Sequence, residues 1–437
     1  MDREKAVAIN GGVTVESAAA IVPKKISWHV VNAALWGWAL DAMDFMILAL
    51  VLVNLVKEWN ITMPKAGLLM TSTQLGAAFG GMVWGVVGDY LGRRRTLMLT
   101  ILWYSILTGV CALAQSWEQL MIIRFVLGLG LGGEWGIGAT LVAEWSPPEH
   151  RGKYLGIVQS GFGVGYGIAA LLSALIVPVY GWRYLFLAGV IPALLTFYIR
   201  RTIEDPQVWV ETHKRRKDAK KSAKVGGTLS DKEKALTKFS VRDLFSGGNG
   251  RRLVLCFLAI MAIQMAWWGT NTWIPAWLAK ERGLTVVRTG FFVFIQMVGA
   301  VAGYMSFGFI CDRLGRKKTF YLFLVISSAV TIILMSIYSP TPLLLFLPVF
   351  AFFTFGPFSG LGPLVSELFP TRIRATATST ILNSGRIGAC LAPYIVAVIA
   401  SHYSITIGIS FTAVLYMIVL FVLLFLPETL GTKMETG

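Results

Sequence analysis

The stretch Gly85–Arg95, GVVGDYLGRRR, returns in the second half of the chain as Gly308–Lys318, GFICDRLGRKK. Each copy follows a long apolar segment and keeps Gly, Asp, Gly and a basic triplet in the same places, at an offset of 223 residues (308 − 85). A second pair keeps that offset. Glu144–Arg151, EWSPPEHR, and Glu367–Arg374, ELFPTRIR, each run from an acid through proline to an arginine. Two pairs at one spacing mark a duplicated membrane half.

The composition agrees. Of 437 residues, 55% are apolar and 14% charged, and the mean hydropathy is +0.66, which leaves too little polar surface for an ordinary soluble protein. Apolar segments lie near residues 29–55, 66–88, 97–115, 119–143, 154–179, 184–200, 252–278, 289–311, 319–338, 342–366, 375–400 and 405–426. Each is close to the ~20 residues that span a hydrocarbon core. The predicted fold is an all-α membrane protein of twelve transmembrane helices in two pseudo-symmetric six-helix bundles. These divide the chain into a tail (1–28), a first bundle (29–200), a central loop (201–251), a second bundle (252–427) and a tail (428–437).

The net charge of +16 follows topology and does not form a nucleic-acid groove. Basic residues gather in alternate loops, at Lys24 and Lys25, Arg93 to Arg95, Arg151 and Lys153, the central loop, Arg313 to Lys318, and Arg372 with Arg374. The opposite loops are short and poorer in charge. The positive-inside rule then puts both termini and the central loop in the cytoplasm. The HKRRKDAKKSAK run of that loop reads as a solvated or lipid-surface segment, and Ser240 to Leu244 could begin a short helix along the membrane.

The four cysteines, Cys111, Cys256, Cys311 and Cys390, fall in or at the end of apolar segments without metal or redox spacing, and read as packing residues. The first 25 residues lack the pattern of a cleavable signal, so the first membrane segment is expected to do the targeting. No GxxxxGK[ST] occurs, so nothing points to a nucleotide-driven pump, and no metal or cofactor is expected.

Charge inside the bilayer costs ~2.5–3.5 kcal/mol at the centre and normally faces a cavity or a partner. Five residues qualify: Asp41 and Asp44 on the first segment, Arg124 and Glu134 on the fourth, and Arg386 on the eleventh. Counting from Ala375 at 1.5 Å per residue puts Arg386 about 16 Å deep, near the midplane. Its counterpart at the common offset is Gly163, so this charge belongs to one half only, as a site would. A guanidinium there could clamp a substrate carboxylate or bridge to an acid on another helix. Asp41 and Asp44 share a helix face, and Asp44 and Arg124 fall at similar depth. Such a pair is either a fixed bridge or a switch in which protonation of the aspartate releases the arginine. Glu134 could be a second proton carrier or an inner gate. The cavity wall has neutral candidates in Gln264, Trp267, Trp268 and Asn271 on the seventh segment, Asn383 and Tyr394 on the eleventh, and Gln159 on the fifth. Trp267 and Asn271 share a face, Trp273 and Trp277 read as interfacial, and the helix is expected to break at Pro275.

Taken together, the GxxxDxxGR[RK][RK] loops, Arg124 followed by Gly128 and Gly132, and the two acid-to-arginine stretches resemble the major facilitator superfamily over essentially the whole chain. LDAMDF, GGEWG, GWRYLF and NSGRIGACLAPY resemble its proton-coupled organic-acid branch, the sialate, lactate and aromatic-acid permeases. The resemblance implies a gate at the cytoplasmic loops, built from Asp89, Arg93 and Arg94, Asp312 and Arg316, and the pairs Glu144 with Arg151 and Glu367 with Arg374. It also implies an anionic substrate at Arg386 and a proton-carrying acid on the first helix. The expected protein is a monomeric secondary transporter of a bacterial inner membrane, working by alternating access and importing a small organic anion, a monocarboxylate with an apolar or aromatic body, with protons. The alternatives are a porter of sugars or other neutral or cationic solutes in which Arg386 is structural, and a non-transporting membrane sensor.

Overall fold

A computed structural model of the protein describes residues 27–146, 151–205, 210, 249–369 and 371–428. The first half runs through α1 (Trp28–Glu58), α2 (Met63–Leu91), α3 (Arg93–Cys111), α4 (Trp117–Trp145) and α5 (Arg151–Tyr180). Its sixth segment divides into α6 (Trp182–Ala188), a 3-10 turn (Ile191–Leu194) and α7 (Leu195–Thr202). The second half repeats the order with α8 (Asn249–Lys280), α9 (Val286–Leu314) and α10 (Arg316–Met335). Its tenth segment divides into α11 (Pro340–Phe355) and α12 (Phe358–Glu367), and α13 (Thr371–His402) and α14 (Ile405–Leu424) follow. Among the described residues no strand forms, and ten helical segments, with the sixth and tenth each taken whole, are long and apolar enough to cross a membrane. α2 and α3 have the length, 29 and 19 residues, with more polar sequences.

Two single helices expected from hydropathy are therefore broken. Each break falls at a proline, Pro192 or Pro357, which has no N–H to continue the ladder. Pro275 does the opposite of what its sequence suggests, since α8 runs straight through it to Lys280. The carbonyl that the missing N–H would have used, that of Asn271, instead accepts the Tyr166 hydroxyl of α5 at 3.1 Å. A proline is tolerated in a membrane helix where a neighbour satisfies the freed group.

The duplication extends beyond the loops that reveal it. Gly92 and Gly315, 223 apart, take φ of 95° and 97° at the sharp turns from α2 to α3 and from α9 to α10. The exposed amides that follow are capped by acids at the same offset. Asp205 accepts from the Arg94 N–H at 2.9 Å, and Glu428 accepts from the Arg316 and Lys317 N–H groups at 3.0 and 3.2 Å. At the opposite end of the bundle Glu58 accepts from the Trp182 indole and from Arg183, while Glu281 accepts from the amide and hydroxyl of Thr406. These partners also lie 223 apart, so each half is stapled internally at both ends in the same way.

Within a half, α2 lies against α4 and α1 against α5, as α8 lies against α13 and α9 against α11. The halves meet chiefly where α5 packs on α9 and α2 on α13, two pairings that the duplication makes equivalent. The α2–α4 crossing depends on the glycines of both helices. A methyl on Gly128 would lie 3.0 Å from the Ala77 nitrogen and 3.1 Å from the Gly76 Cα, whereas one on Gly136 would meet no described atom within 4 Å. We expect Gly128→Ala to cost about 1–3 kcal/mol by overpacking, read as a lower melting temperature in detergent, and Gly136→Ala to leave that temperature unchanged. Equal melting of the two variants would refute this account of the crossing.

Among the described residues, close contact between the halves concentrates at the end opposite the basic loops. There a methyl on Gly67 would lie 2.8 Å from the Ala397 Cβ, and one on Gly290 2.9 Å from the Ala174 Cβ. The Thr71 hydroxyl donates to the Cys390 carbonyl at 2.7 Å across the same seam. Toward the basic end, methyls on Gly85, Gly156, Gly308 and Gly362 would touch no described atom within 4 Å. All four cysteines are buried and none is in a disulfide.

Candidate functional site

α1 carries its two aspartates on the buried side. Asp44 is fully buried and faces the equally buried Arg124 of α4 at 3.9 Å, with the Thr108 hydroxyl of α3 donating to its Oδ1. Arg124 spends its other donors on the Thr73 hydroxyl of α2 at 3.1 Å and on the backbone carbonyls of Asp44 and Phe45. Four helices of the first half therefore converge on one ion pair, wholly inside that half. Sequence reading matched the depths of Asp44 and Arg124 but missed Thr73 and Thr108, because a threonine in an apolar run carries no periodic signal.

One turn back along α1 lies Asp41, within electrostatic reach of Glu134. It is 5% exposed, its Oδ1 has no hydrogen-bond partner, and it lies within electrostatic reach of Arg386 from the second half as well as of Asp44 and Arg124. Arg386 donates from Nη2 to the Gly132 carbonyl of α4 at 3.2 Å, beside the bare backbone of Gly81. An aspartate of one half and an arginine of the other thus share the seam at mid-membrane depth. Glu134 is 1% exposed and leans on α1 at Gly37, with neither carboxylate oxygen hydrogen-bonded.

Aromatic rings wall this polar seam. Trp268 of α8 meets Phe45 of α1 at 4.6 Å between centroids, and Phe162 of α5 stands 5.3 Å from Trp267. Trp267 continues the wall to Phe355 and Phe358 on either side of the break in the tenth segment, at 4.9 and 5.4 Å. Gln264 packs on Gly385, next to Arg386, with its Oε1 buried and without a partner. Asn383 is one turn from Arg386 and exposed. Gln159 reaches Tyr304 across the seam. Of the expected wall residues, Asn271 is buried with its amide committed to the Trp267 carbonyl and the Gln296 side chain, so it braces the site. Tyr394 is not brought into the group. It lies about 12 Å further along α13 and is 38% exposed.

Trp273 and Trp277, expected at the membrane interface, are packed inside the second half and do not face lipid. Both are fully buried, and each indole finds an acceptor inside the second half, the Pro393 carbonyl at 3.0 Å and the Thr406 hydroxyl at 2.9 Å. A buried tryptophan needs such a partner, and α13 and α14 supply it.

At the basic end, Arg316 pairs with Glu367 at 3.2 Å, and Arg93 donates to the Gly88 carbonyl at 2.9 Å. These contacts, like the caps on Arg94 and Arg316, join elements of one half. The side chains of Asp89, Glu144, Arg151, Asp312 and Arg374 lie outside the described residues, as does the Ser240 to Leu244 segment.

The family model of the Major Facilitator Superfamily matches residues 35–356 and, again, 256–435. The chain belongs to that superfamily. The transporter is 32% identical over 381 residues to the cis,cis-muconate transport protein of Acinetobacter baylyi, covering 86% of this chain and 89% of that protein. It is 29% identical to the niacin transporter NiaP of the same organism, covering 92% and 94% of the two chains. Its fold is that of the xylose transporter XylE from E. coli in a partially occluded inward open conformation, with a TM-score of 0.71 over 93% of this chain and 99% of that one, at 18% identity. It is a multi-pass membrane transporter and not an enzyme.

Proposed function

We propose that this transporter imports a small organic anion, a carboxylate with an apolar or aromatic body, together with protons, and that the gradient alone drives it. The reading rests above all on Arg386 and Asp41, which face one seam from opposite halves. A substrate carboxylate that takes the guanidinium leaves Asp41 without its cation, and a proton fills that place. Binding of anion and of proton are thereby linked, and the loaded site carries less charge through the membrane. The tryptophan and phenylalanine wall suits a flat or apolar body. Muconate and niacin, carried by the relatives, are both unsaturated carboxylic acids.

Orientation follows from the loops, with the basic end in the cytoplasm of a bacterial inner membrane, so the structure is closed on the outside. Proton coupling also answers the membrane potential, since each charge costs about 2.3 kcal/mol per 100 mV and a bare monoanion would enter against it.

The test is uptake into proteoliposomes under an inward proton gradient, offering labelled muconate, nicotinate, lactate, sialate and xylose. Asp41→Asn is expected to keep exchange of internal for external acid and to lose gradient-driven accumulation. Accumulation by the asparagine variant at the wild-type level would remove Asp41 from the coupling. The bond from Arg386 to the Gly132 carbonyl favours a second reading, a neutral-solute porter in which that arginine is a brace. Uptake of xylose and of no acid would select it.

A further inference from the structure

A cavity of about 300 Å³ lies away from Arg386, at the closed end, between the end of α1, the end of α8 and the start of α9. Lys57 and Lys280 both line it, one from each half. They are 223 residues apart and so are the same position of the duplicated unit, brought to one cavity by the pseudo-symmetry. The surrounding stretches, LVKEWNITMPKAG and LAKERGLTVVRTG, form a third repeated pair, with Asn60 and Gly283 at positive φ and Thr62 and Thr285 preceding α2 and α9.

Each lysine is followed by a glutamate that could neutralise it, and neither does so. Glu58 is held by Trp182 and Arg183, and Glu281 by the start of α14. Among the described residues neither lysine has a carboxylate within ion-pair distance, and the Lys280 ammonium rests on the Met63 sulfur at 3.4 Å. The cavity also carries Asn54, Ser173 and Thr289. Thr289 is 5% exposed and its hydroxyl is buried without a partner. Two exposed lysines that no described carboxylate neutralises, and a buried hydroxyl with a donor to offer, line one small space and suit a carboxylate arriving from solvent.

We infer that Lys57 and Lys280 make an anion-receiving vestibule at the outer mouth, which holds the carboxylate of the incoming acid before it reaches Arg386. The inference rests on the organic-anion reading and adds a second, shallower site to it. Closing the outer end brings two cations together, and a carboxylate lodged between them offsets their repulsion.

The test uses the full chain in right-side-out and inverted membrane vesicles, with muconate and nicotinate as probes. Lys57→Gln with Lys280→Gln is expected to raise the uptake KM about tenfold at low salt, by loss of electrostatic capture, with Vmax kept within about twofold. The difference should vanish near ~1 M salt, where screening shortens the reach of charge to about 3 Å. Lys57→Arg with Lys280→Arg keeps the wild-type KM, and transport started from the cytoplasmic face is unchanged in every variant. An uptake KM that does not move, or one that rises equally from both faces, overturns the vestibule alone. No flux of either acid through the wild type overturns the organic-anion reading and the vestibule's carboxylate with it.

Discussion

Arg386→Ala is expected to reduce acid uptake by about two orders of magnitude, equivalent to ~3 kcal/mol, because it removes the cation that a buried carboxylate needs. The loss should appear in substrate binding as well as in flux. Arg386→Lys keeps the charge but not the planar fork, and is expected to recover only part of the loss, leaving uptake about tenfold below wild type. The guanidinium's bond to the Gly132 carbonyl gives this prediction its contrary outcome. If the arginine only braces α13 against α4, the alanine variant will melt earlier yet bind acids with undiminished affinity. Binding measured by tryptophan fluorescence, with Trp267 and Trp268 in the wall, and melting measured in detergent separate the two.

Arg124→Ala should be the most damaging single change to stability. It strands Asp44, which is 0% exposed, beside a threonine hydroxyl and no cation. Breaking a buried pair from one side costs about 3–5 kcal/mol, so the variant is expected to melt well below wild type and to accumulate poorly in membranes. Removing both charges together, with Asp44→Leu and Arg124→Met, should restore most of the stability, since no orphaned charge remains. Transport is expected to survive in that double variant, because the pair is enclosed within the first half and does not touch the seam. Recovered stability with lost proton coupling would instead make the pair the proton switch.

The architecture was legible because duplication and hydropathy are both one-dimensional signals. A 223-residue offset between Gly85 and Gly308 announces two like halves without any knowledge of packing. The charged members of the site were legible too, since Asp41, Arg124 and Arg386 are conspicuous in apolar runs. What escaped is what depends on facing. Nothing in the sequence says that Asp44 is taken up by Arg124 within its own half while Asp41, three residues away, also lies within electrostatic reach of Arg386 from the other half. Pro275 reads as a break because nothing local points to the hydroxyl of Tyr166, 109 residues earlier, as the group that accommodates it. Trp273 and Trp277 suggest the interface by frequency alone, and only the positions of Pro393 and Thr406 show that their indoles are satisfied inside the protein. The capping acids Asp205 and Glu428 could have been found, since the offset that pairs the loops also pairs them.

The seam between the halves has a thermodynamic consequence. Side-chain hydrogen bonds described across it include Thr71 to Cys390, Tyr166 to Asn271, Gln159 with Tyr304, Arg386 to Gly132, and Lys280 to the Met63 sulfur. Neutral bonds of this kind are worth about 1 kcal/mol each, and the internal staples of each half are untouched when the seam opens. With few polar locks described across the seam, the form closed at the end opposite the basic loops is expected to be one member of an equilibrium whose populations a ligand preferring one member by a few kcal/mol can invert.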